Sequence, residues 1–234
     1  MNTIEHIVEP ERLWLLWRSN ATPTSMRLIV GEISRAENGM QAILRYRNGT
    51  PDFETAQQEG FKGYPSFKLS ALEHQQGVLD AFVRRLPPRS RDDFSEYLDR
   101  YRLPNNARFS DLALLAYTGG KLPSDGFEFC ADLDQARPPF ELVIEIAGFR
   151  YQDSAQASDL EIDAEVRLVP EPENTFDADA IAILYRGNRI GYVPRGLAST
   201  FRGWLNNGYE ITATIERING KPERPLIYLF VKVR

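Results

Sequence analysis

The chain has 234 residues, room for one large domain or two small ones, and its 28 Lys+Arg against 33 Asp+Glu leave a formal net charge of −5. That balance excludes wholesale coating of nucleic acid or anionic membrane, though not a local basic face. One cysteine, Cys130, and two histidines, His6 and His74, exclude an internal disulfide framework and leave too few soft ligands for a zinc site. No cofactor or metal is expected. No apolar run approaches the roughly 20 residues of a membrane span. The N-terminus, with Glu5, Glu9 and Glu11 and no apolar core, does not read as a signal peptide. The expectation is a cytoplasmic protein that does not engage a membrane.

In chain order, the pattern predicts strands at 12–18, 26–33 and 40–46, with Asn38-Gly39 as the tight turn between the last two. Asn48-Gly49-Thr50-Pro51 breaks the pattern, and 52–58 reads as a short helix closed by Gly60. From Gln76 the period changes. Val78, Leu79, Phe82, Val83 and Leu86 lie at helical spacing until Pro87-Pro88. Ser90 and Asp93 read as a cap for a second helix striped by Phe94, Tyr97, Leu98 and Tyr101. Ser110 caps a third, 112–117, ended by Gly119-Gly120, and 127–130 returns as a strand. Strands followed by helices predict an α+β domain over 1–130.

Residues 131–139, polar and ending Arg-Pro-Pro, read as a linker. Beyond it nearly all is β. Alternation runs through Leu142, Ile144 and Ile146, then Ala164, Val166 and Leu168, then Ile181, Ile183 and Tyr185. Gly187-Asn188 turns into 190–193, a helix covers 197–205, and strands 209–218 and 226–233 flank a turn at Asn219-Gly220. About six strands and one or two helices over 140–234 predict a small, mostly β, OB-like barrel.

Charge in this half is segregated along the chain. Residues 161–179 hold seven acids and one base, Arg167, whereas 180–209 hold Arg186, Arg189, Arg195 and Arg202 and no acid. Arginines interleaved with Tyr185, Tyr192 and Trp204 fit single-strand binding, in which cations offset phosphates and rings stack on bases at roughly 1–3 kcal/mol each. The same residues also admit a plainer reading. Tyr185 and Trp204 fit a barrel core, the arginines a solvated face, and Asp177 a turn brace. Arg84, Arg85, Arg89 and Arg91 around Pro87-Pro88 read either as a second phosphate or partner contact or as helix-end charge.

Three pieces resemble the HIRAN domain in order and spacing: Ala147-Gly148-Phe149-Arg150-Tyr151, the run from Glu171 to Ile181 that includes Asn174-Thr175-Phe176-Asp177, and the run Ile190-Gly191-Tyr192-Val193-Pro194-Arg195-Gly196-Leu197-Ala198. The resemblance covers roughly 140–234. It implies a modified OB-like barrel that binds single-stranded DNA and captures a free 3′-terminal nucleotide. Carried over, Arg150 and Tyr151 line the pocket and Phe176 stacks on the terminal base. Asp177 accepts from the terminal 3′-hydroxyl, and Tyr192 and Arg195 sit at the rim. The chain departs from the family in having Phe176 where Tyr is common and Tyr192 where some members have His. The first half is more loosely similar to the N-terminal domain of HipA-type kinases, through Val30-Gly31-Glu32, residues 82–103 and Leu112 to Gly120. That resemblance implies a docking module.

An enzyme is not expected. There is no GxxxxGK[ST] phosphate loop, and Cys130 has no histidine near it in sequence. Glu171, Glu173, Asp177 and Asp179 could hold Mg²⁺ for phosphodiester chemistry, but an acidic turn before a strand serves as well to shape a solvated loop. The expectation is a non-enzymatic protein recognising single-stranded DNA or DNA 3′ ends, in repair or at stalled forks, with a protein partner engaged through 1–130. A protein-interaction adaptor without DNA binding and a metal-dependent nuclease are the alternatives.

Overall fold

The computed structural model describes residues 2–19, 26–36, 41–122, 125–152 and 156–234. The expected Asn38-Gly39 turn lies outside the described residues. The chain divides into two compact units: Glu9–Tyr97 with Ala107–Leu133, and Met1–Val8 with Leu98–Asn106 and Asp134–Arg234.

The first unit is α+β. Its strands are β1 (Arg12–Trp17), β2 (Leu28–Arg35) and β3 (Ala42–Tyr46), then, after helix α1 (Pro51–Gln58), the two-residue strands β4 (Gly63–Tyr64), β5 (Phe67–Lys68) and β6 (Glu73–His74). Helices α2 (Val78–Val83), α3 (Phe94–Asp99, which runs past the end of this unit) and α4 (Asp111–Thr118) precede the returning strand β7 (Phe127–Ala131). The main sheet is antiparallel in the order β6-β3-β2-β1-β7. Leu13, Leu15, Ile33, Leu44 and Phe129 oppose one another across the ladders and, with Val30 at the β1–β2 bulge, are fully or almost fully buried. Phe82 packs edge-on against Tyr64 and Phe129, each at 4.8 Å between ring centres, which closes that core.

The capping residues act as their chemistry dictates. Ser110 Oγ accepts from the backbone N–H of Ala113, and Gly119 ends α4 in the left-handed region. Ser90 does not cap the next helix, because α3 begins only at Phe94. Instead Arg91 and Asp93 pair beside its start at 2.6 Å.

The second unit carries β8 (Phe140–Glu145), β9 (Glu165–Pro170), β10 (Ile181–Tyr185), β11 (Asn188–Tyr192), α5 (Arg195–Asn206), β12 (Ile211–Lys221) and β13 (Arg224–Val233). Six strands form one curled antiparallel sheet in the order β11-β10-β9-β12-β13-β8, an OB-like half-barrel. Just beyond β8, Ala147 exchanges two backbone hydrogen bonds with Tyr192 at the end of β11, 2.8 and 2.9 Å. Those bonds draw the two sheet edges together. Helix α5 buries Leu197, Ala198, Thr200, Phe201 and Trp204, one stripe at helical spacing. Trp204 packs tilted against Phe201 and edge-on against Phe140, at 4.9 and 5.1 Å between ring centres. Each such large side chain contributes roughly 1.5–3 kcal/mol by leaving water.

Two expected turns are displaced. The β10–β11 hairpin turns at Arg186-Gly187, since Tyr185 pairs with Asn188. Both central residues have positive φ, +50° and +85°, as a two-residue type I′ turn requires. The β12–β13 ladder runs through Asn219↔Leu226 and Gly220↔Pro225 to Lys221↔Arg224, so the turn is Pro222-Glu223. The left-handed glycine is still required. Gly220 has φ +86°, and a Cβ there would lie 2.4 Å from the Arg224 carbonyl oxygen.

Short stretches from the first half of the chain complete the barrel unit. Ile4 is fully buried and donates its N–H to the Arg102 carbonyl at 2.8 Å. Glu141, on β8, is 9% exposed, and its Oε2 accepts from the N–H groups of Glu5 and His6 at 3.0 and 2.9 Å. Glu216 sits at the bulge of β12, 5% exposed, between Arg102 and the Asn2 amide.

Candidate nucleic-acid interface

The connection from β9 to β10 is held by its own hydrogen bonds. Glu171 N–H donates to the Ala180 carbonyl at 2.8 Å, which extends the ladder one step past Pro170. Asn174 then mimics a backbone turn: its Oδ1 accepts from the N–H groups of Phe176 and Asp177 at 3.0 and 3.2 Å. Asp177 Oδ1 accepts from Asp179 N–H at 3.0 Å, and its carbonyl from Ala180 N–H at 3.0 Å. The loop is thus ordered without burying its aromatic ring. Phe176 is 77% exposed, an apolar face left to water by a chain that buries most of its other phenylalanines.

Tyr192 stands where three segments meet. Gly191 before it has φ +144°, and a Cβ there would lie 2.4 Å from Ile146 Cγ2 and 2.5 Å from the Ala147 carbonyl oxygen. Only glycine permits that approach. Gly148, also left-handed at φ +77°, leads into a single 3₁₀ turn, Phe149–Tyr151, anchored by the buried Phe149. The turn presents Arg150 and Tyr151 to solvent, with the guanidinium 4.6 Å from the ring centre and bonded to the phenol oxygen.

The hub of the arrangement is Glu171. Its Oε2 accepts from Tyr192 Oη and Asn174 Nδ2, both at 3.1 Å, and its Oε1 from Arg189 Nη1 at 3.3 Å. Arg189 also lies 5.3 Å from the Tyr192 ring centre and donates to Gln152 Oε1 at 3.0 Å. Desolvation pushes the Glu171 carboxyl up, but the bonds from Asn174, Tyr192 and Arg189 outweigh it and hold the group below its ordinary value. The Tyr192 phenol is raised, first by desolvation and then by its bond to Glu171. The sequence reading treats Glu171 and Glu173 alike, as shapers of a solvated turn. Glu173 is exposed, but Glu171 joins β11 to the Phe176–Asp177 turn. Asn174 carries no assigned role in the sequence, although an Asn just ahead of an exposed turn is a recognisable signal.

Arg195, the first residue of α5, lies beside that turn. Its Nη1 reaches Asp177 Oδ2 at 3.2 Å and the Phe176 carbonyl oxygen at 3.4 Å. Asp177 therefore braces a turn, as the plainer reading has it, and keeps acceptor capacity, since a carboxylate offers about four lone-pair sites. The arginine strip is not bare. Arg186 pairs with Glu161 at 2.7 Å, Arg189 with Glu171 at 3.3 Å, Arg195 with Asp177 at 3.2 Å and Arg202 with Asp179 at 3.2 Å. Charge that is segregated along the chain is intermixed in space. Tyr185 and Trp204 are 5% and 3% exposed and belong to the core.

The basic corner near Pro87-Pro88 disperses. Arg85 is buried and forms a bidentate pair with Asp125 at 2.7 and 2.8 Å, while Arg89 pairs with Asp111. Helix α2 ends at Val83 with Arg84 as its C-cap, so Arg84 and Arg85 stand at the helix end, while Arg89 lies beyond it. Burial pushes the Cys130 thiol well up, as for an inert core residue. Among the described residues no group of three or more His, Cys, Asp or Glu side chains is placed to hold a metal ion. Nor does any helix there have the length and apolarity to cross a membrane.

No curated protein matches the chain. Among solved structures it is similar to the crystal structure of the HIRAN domain of human HLTF, at 21% identity and a TM-score of 0.34, covering 40% of this chain and 74% of that one. It is also similar to a protein from Lactobacillus plantarum, at 19% identity and a TM-score of 0.34, covering 39% of this chain and 92% of that one. The stretch that carries the Glu171 hub, the Phe176–Asp177 turn and Tyr192 matches the family model of the HIRAN domain over residues 139–233.

Proposed function

We propose that the barrel unit binds single-stranded DNA at a 3′ end, without a catalytic step, in DNA repair or at stalled replication forks. The family match supports DNA as the ligand. The observation that carries the end preference is the juxtaposition of a 77% exposed ring, Phe176, with the Asp177 carboxylate held by Arg195. A ring stacks on any base. A carboxylate accepts from a hydroxyl and repels a phosphate, so the pair suits a terminal nucleotide with a free 3′-hydroxyl. In this reading Arg150 and Tyr151 flank the base, Tyr192 and Arg195 hold the rim, and residues 1–130 dock a protein partner. The looser similarity of that half to HipA-type N-terminal domains supports the docking role.

Fluorescence anisotropy at low salt tests this, with strands bearing a 3′-hydroxyl or a 3′-phosphate and a blunt duplex. The 3′-hydroxyl strand is expected to bind best, and Asp177→Ala to abolish the preference. Equal, negligible binding to all three overturns the reading and favours the adaptor, a role to which the paired arginines are also suited. Mg²⁺-dependent shortening of the strand, lost in Asp177→Ala, favours the nuclease.

A further inference from the structure

We propose that the acids of residues 161–179 set the specificity of the barrel by masking Arg186, Arg189, Arg195 and Arg202, so that a strand is held by its end and not along the backbone beside them. This rests on the single-strand reading above. Arg186, Arg189, Arg195 and Arg202 are all the basic residues between 180 and 209. Each has a carboxylate of the preceding segment at 2.7 to 3.3 Å. Arg202 also donates to the Ala178 carbonyl. Each carboxylate takes a guanidinium donor that a phosphate oxygen would otherwise take. Asp163, Glu165 and Glu173 add three further negative charges to that segment. The strip therefore projects little positive potential beyond a Debye length of about 8 Å.

The mask acts equally on every phosphate along a strand. The end alone escapes it, because a terminal nucleotide brings a ring for Phe176 and a hydroxyl for Asp177. Glu161 and Asp179 hold Arg186 and Arg202 and stand outside the contacts assigned to the terminal nucleotide. Neutralising them frees two guanidiniums for phosphate while leaving Phe176, Asp177, Tyr192 and Glu171 in place. Asp179 keeps its backbone bond to Asp177, which runs through its N–H.

The experiment uses the full chain and two probes, a linear oligothymidine with a free 3′-hydroxyl and a closed circle of the same length. The wild type is expected to bind the linear strand and to bind the circle weakly. The variant Glu161→Gln/Asp179→Asn is expected to gain binding to the circle. Its salt dependence steepens by about 0.7 per released arginine, so raising salt from 50 to 200 mM costs it about sevenfold more affinity than wild type. Adding Arg202→Gln removes about half of that gain. Unchanged circle binding and salt slope in the double variant overturn the mask, as does a wild type that binds circle and linear strand alike. No binding of either probe by either protein overturns the single-strand reading and the mask with it.

Discussion

Three donors converge on the Glu171 carboxylate: Tyr192 and Arg189, the last and second residues of β11, and Asn174 of the loop that carries Phe176. Replacing it by Gln keeps the shape but sets an amide N–H₂ against donors on at least one side. The loss of about one hydrogen bond's worth of order is expected to weaken binding of the 3′-hydroxyl strand about three- to tenfold. A spectroscopic signature separates this from general unfolding. Glu171 raises the Tyr192 phenol, so ultraviolet titration of Glu171→Gln is expected to show one tyrosine ionising nearer the ordinary value of about 10. The pH dependence has a definite sign. A carboxyl held low in the fold contributes stability above its unfolded value and loses it as pH falls through the lowered one. The loop is thus expected to keep its grip on the strand down to about pH 4 and lose it below. Loss of binding already between pH 6 and 5 would contradict the role given to Glu171.

At the scale of elements, two glycines of the β10–β11 hairpin separate strain from collision. Gly187 has φ +85° and open space around it, so Gly187→Ala meets only backbone strain, roughly 1 kcal/mol. Gly191, at φ +144°, meets in addition Ile146 and the Ala147 carbonyl where the curled sheet draws together, so Gly191→Ala is expected to cost roughly 2 kcal/mol or more. Urea midpoints of the two variants check the ordering, and equal midpoints would remove the close approach as its cause. The elements themselves were legible, because a period of two or 3.6 is written in the chain: the β8, β10 and α5 stripes follow it. The β12–β13 turn was not. Asn219-Gly220 carries the usual two-residue turn signal, yet Pro222, which cannot donate to a ladder, takes the turn and leaves Gly220 paired with Pro225. The pairing of the charges was not legible for a related reason. A sequence shows the sign of each stretch, but folding sets the acids before β10 beside the arginines after it. Phe176, Asp177 and Tyr192 were given roles by the family resemblance. Glu171 and Asn174 were not, because hydrogen-bonding roles of short polar side chains leave no periodicity.

For the whole molecule, the unit that carries the proposed interface is not one stretch of chain. Residues 1–8 and 98–106 count with it, and two buried carboxylates show how. Glu141 binds the backbone N–H groups of Glu5 and His6 through one oxygen, and the His6 ring lies 3.1 Å from the other. Glu216 binds Arg102 and Asn2. A charged acceptor taken from water is stabilising only while its donors are present. The cost of neutralising Glu141 therefore depends on whether residues 2–8 are there. In the intact chain, Glu141→Gln is expected to cost about 1.5–3 kcal/mol, because the amide can face only part of its donors. Deleting residues 2–8 removes the packing of Ile4 and lowers stability on its own, but it also removes both N–H groups and lets water reach Glu141. In that background the same substitution is expected to be close to neutral. A double-mutant cycle on urea midpoints measures the difference, and coupling well above the few tenths of a kcal/mol seen for independent sites is the expected result. Additive costs would mean that the N-terminal segment merely lies over the barrel. Coupling would mean that excising residues 139–233 removes part of the structure that holds β8, and with it the segment that leads to Arg150 and Tyr151.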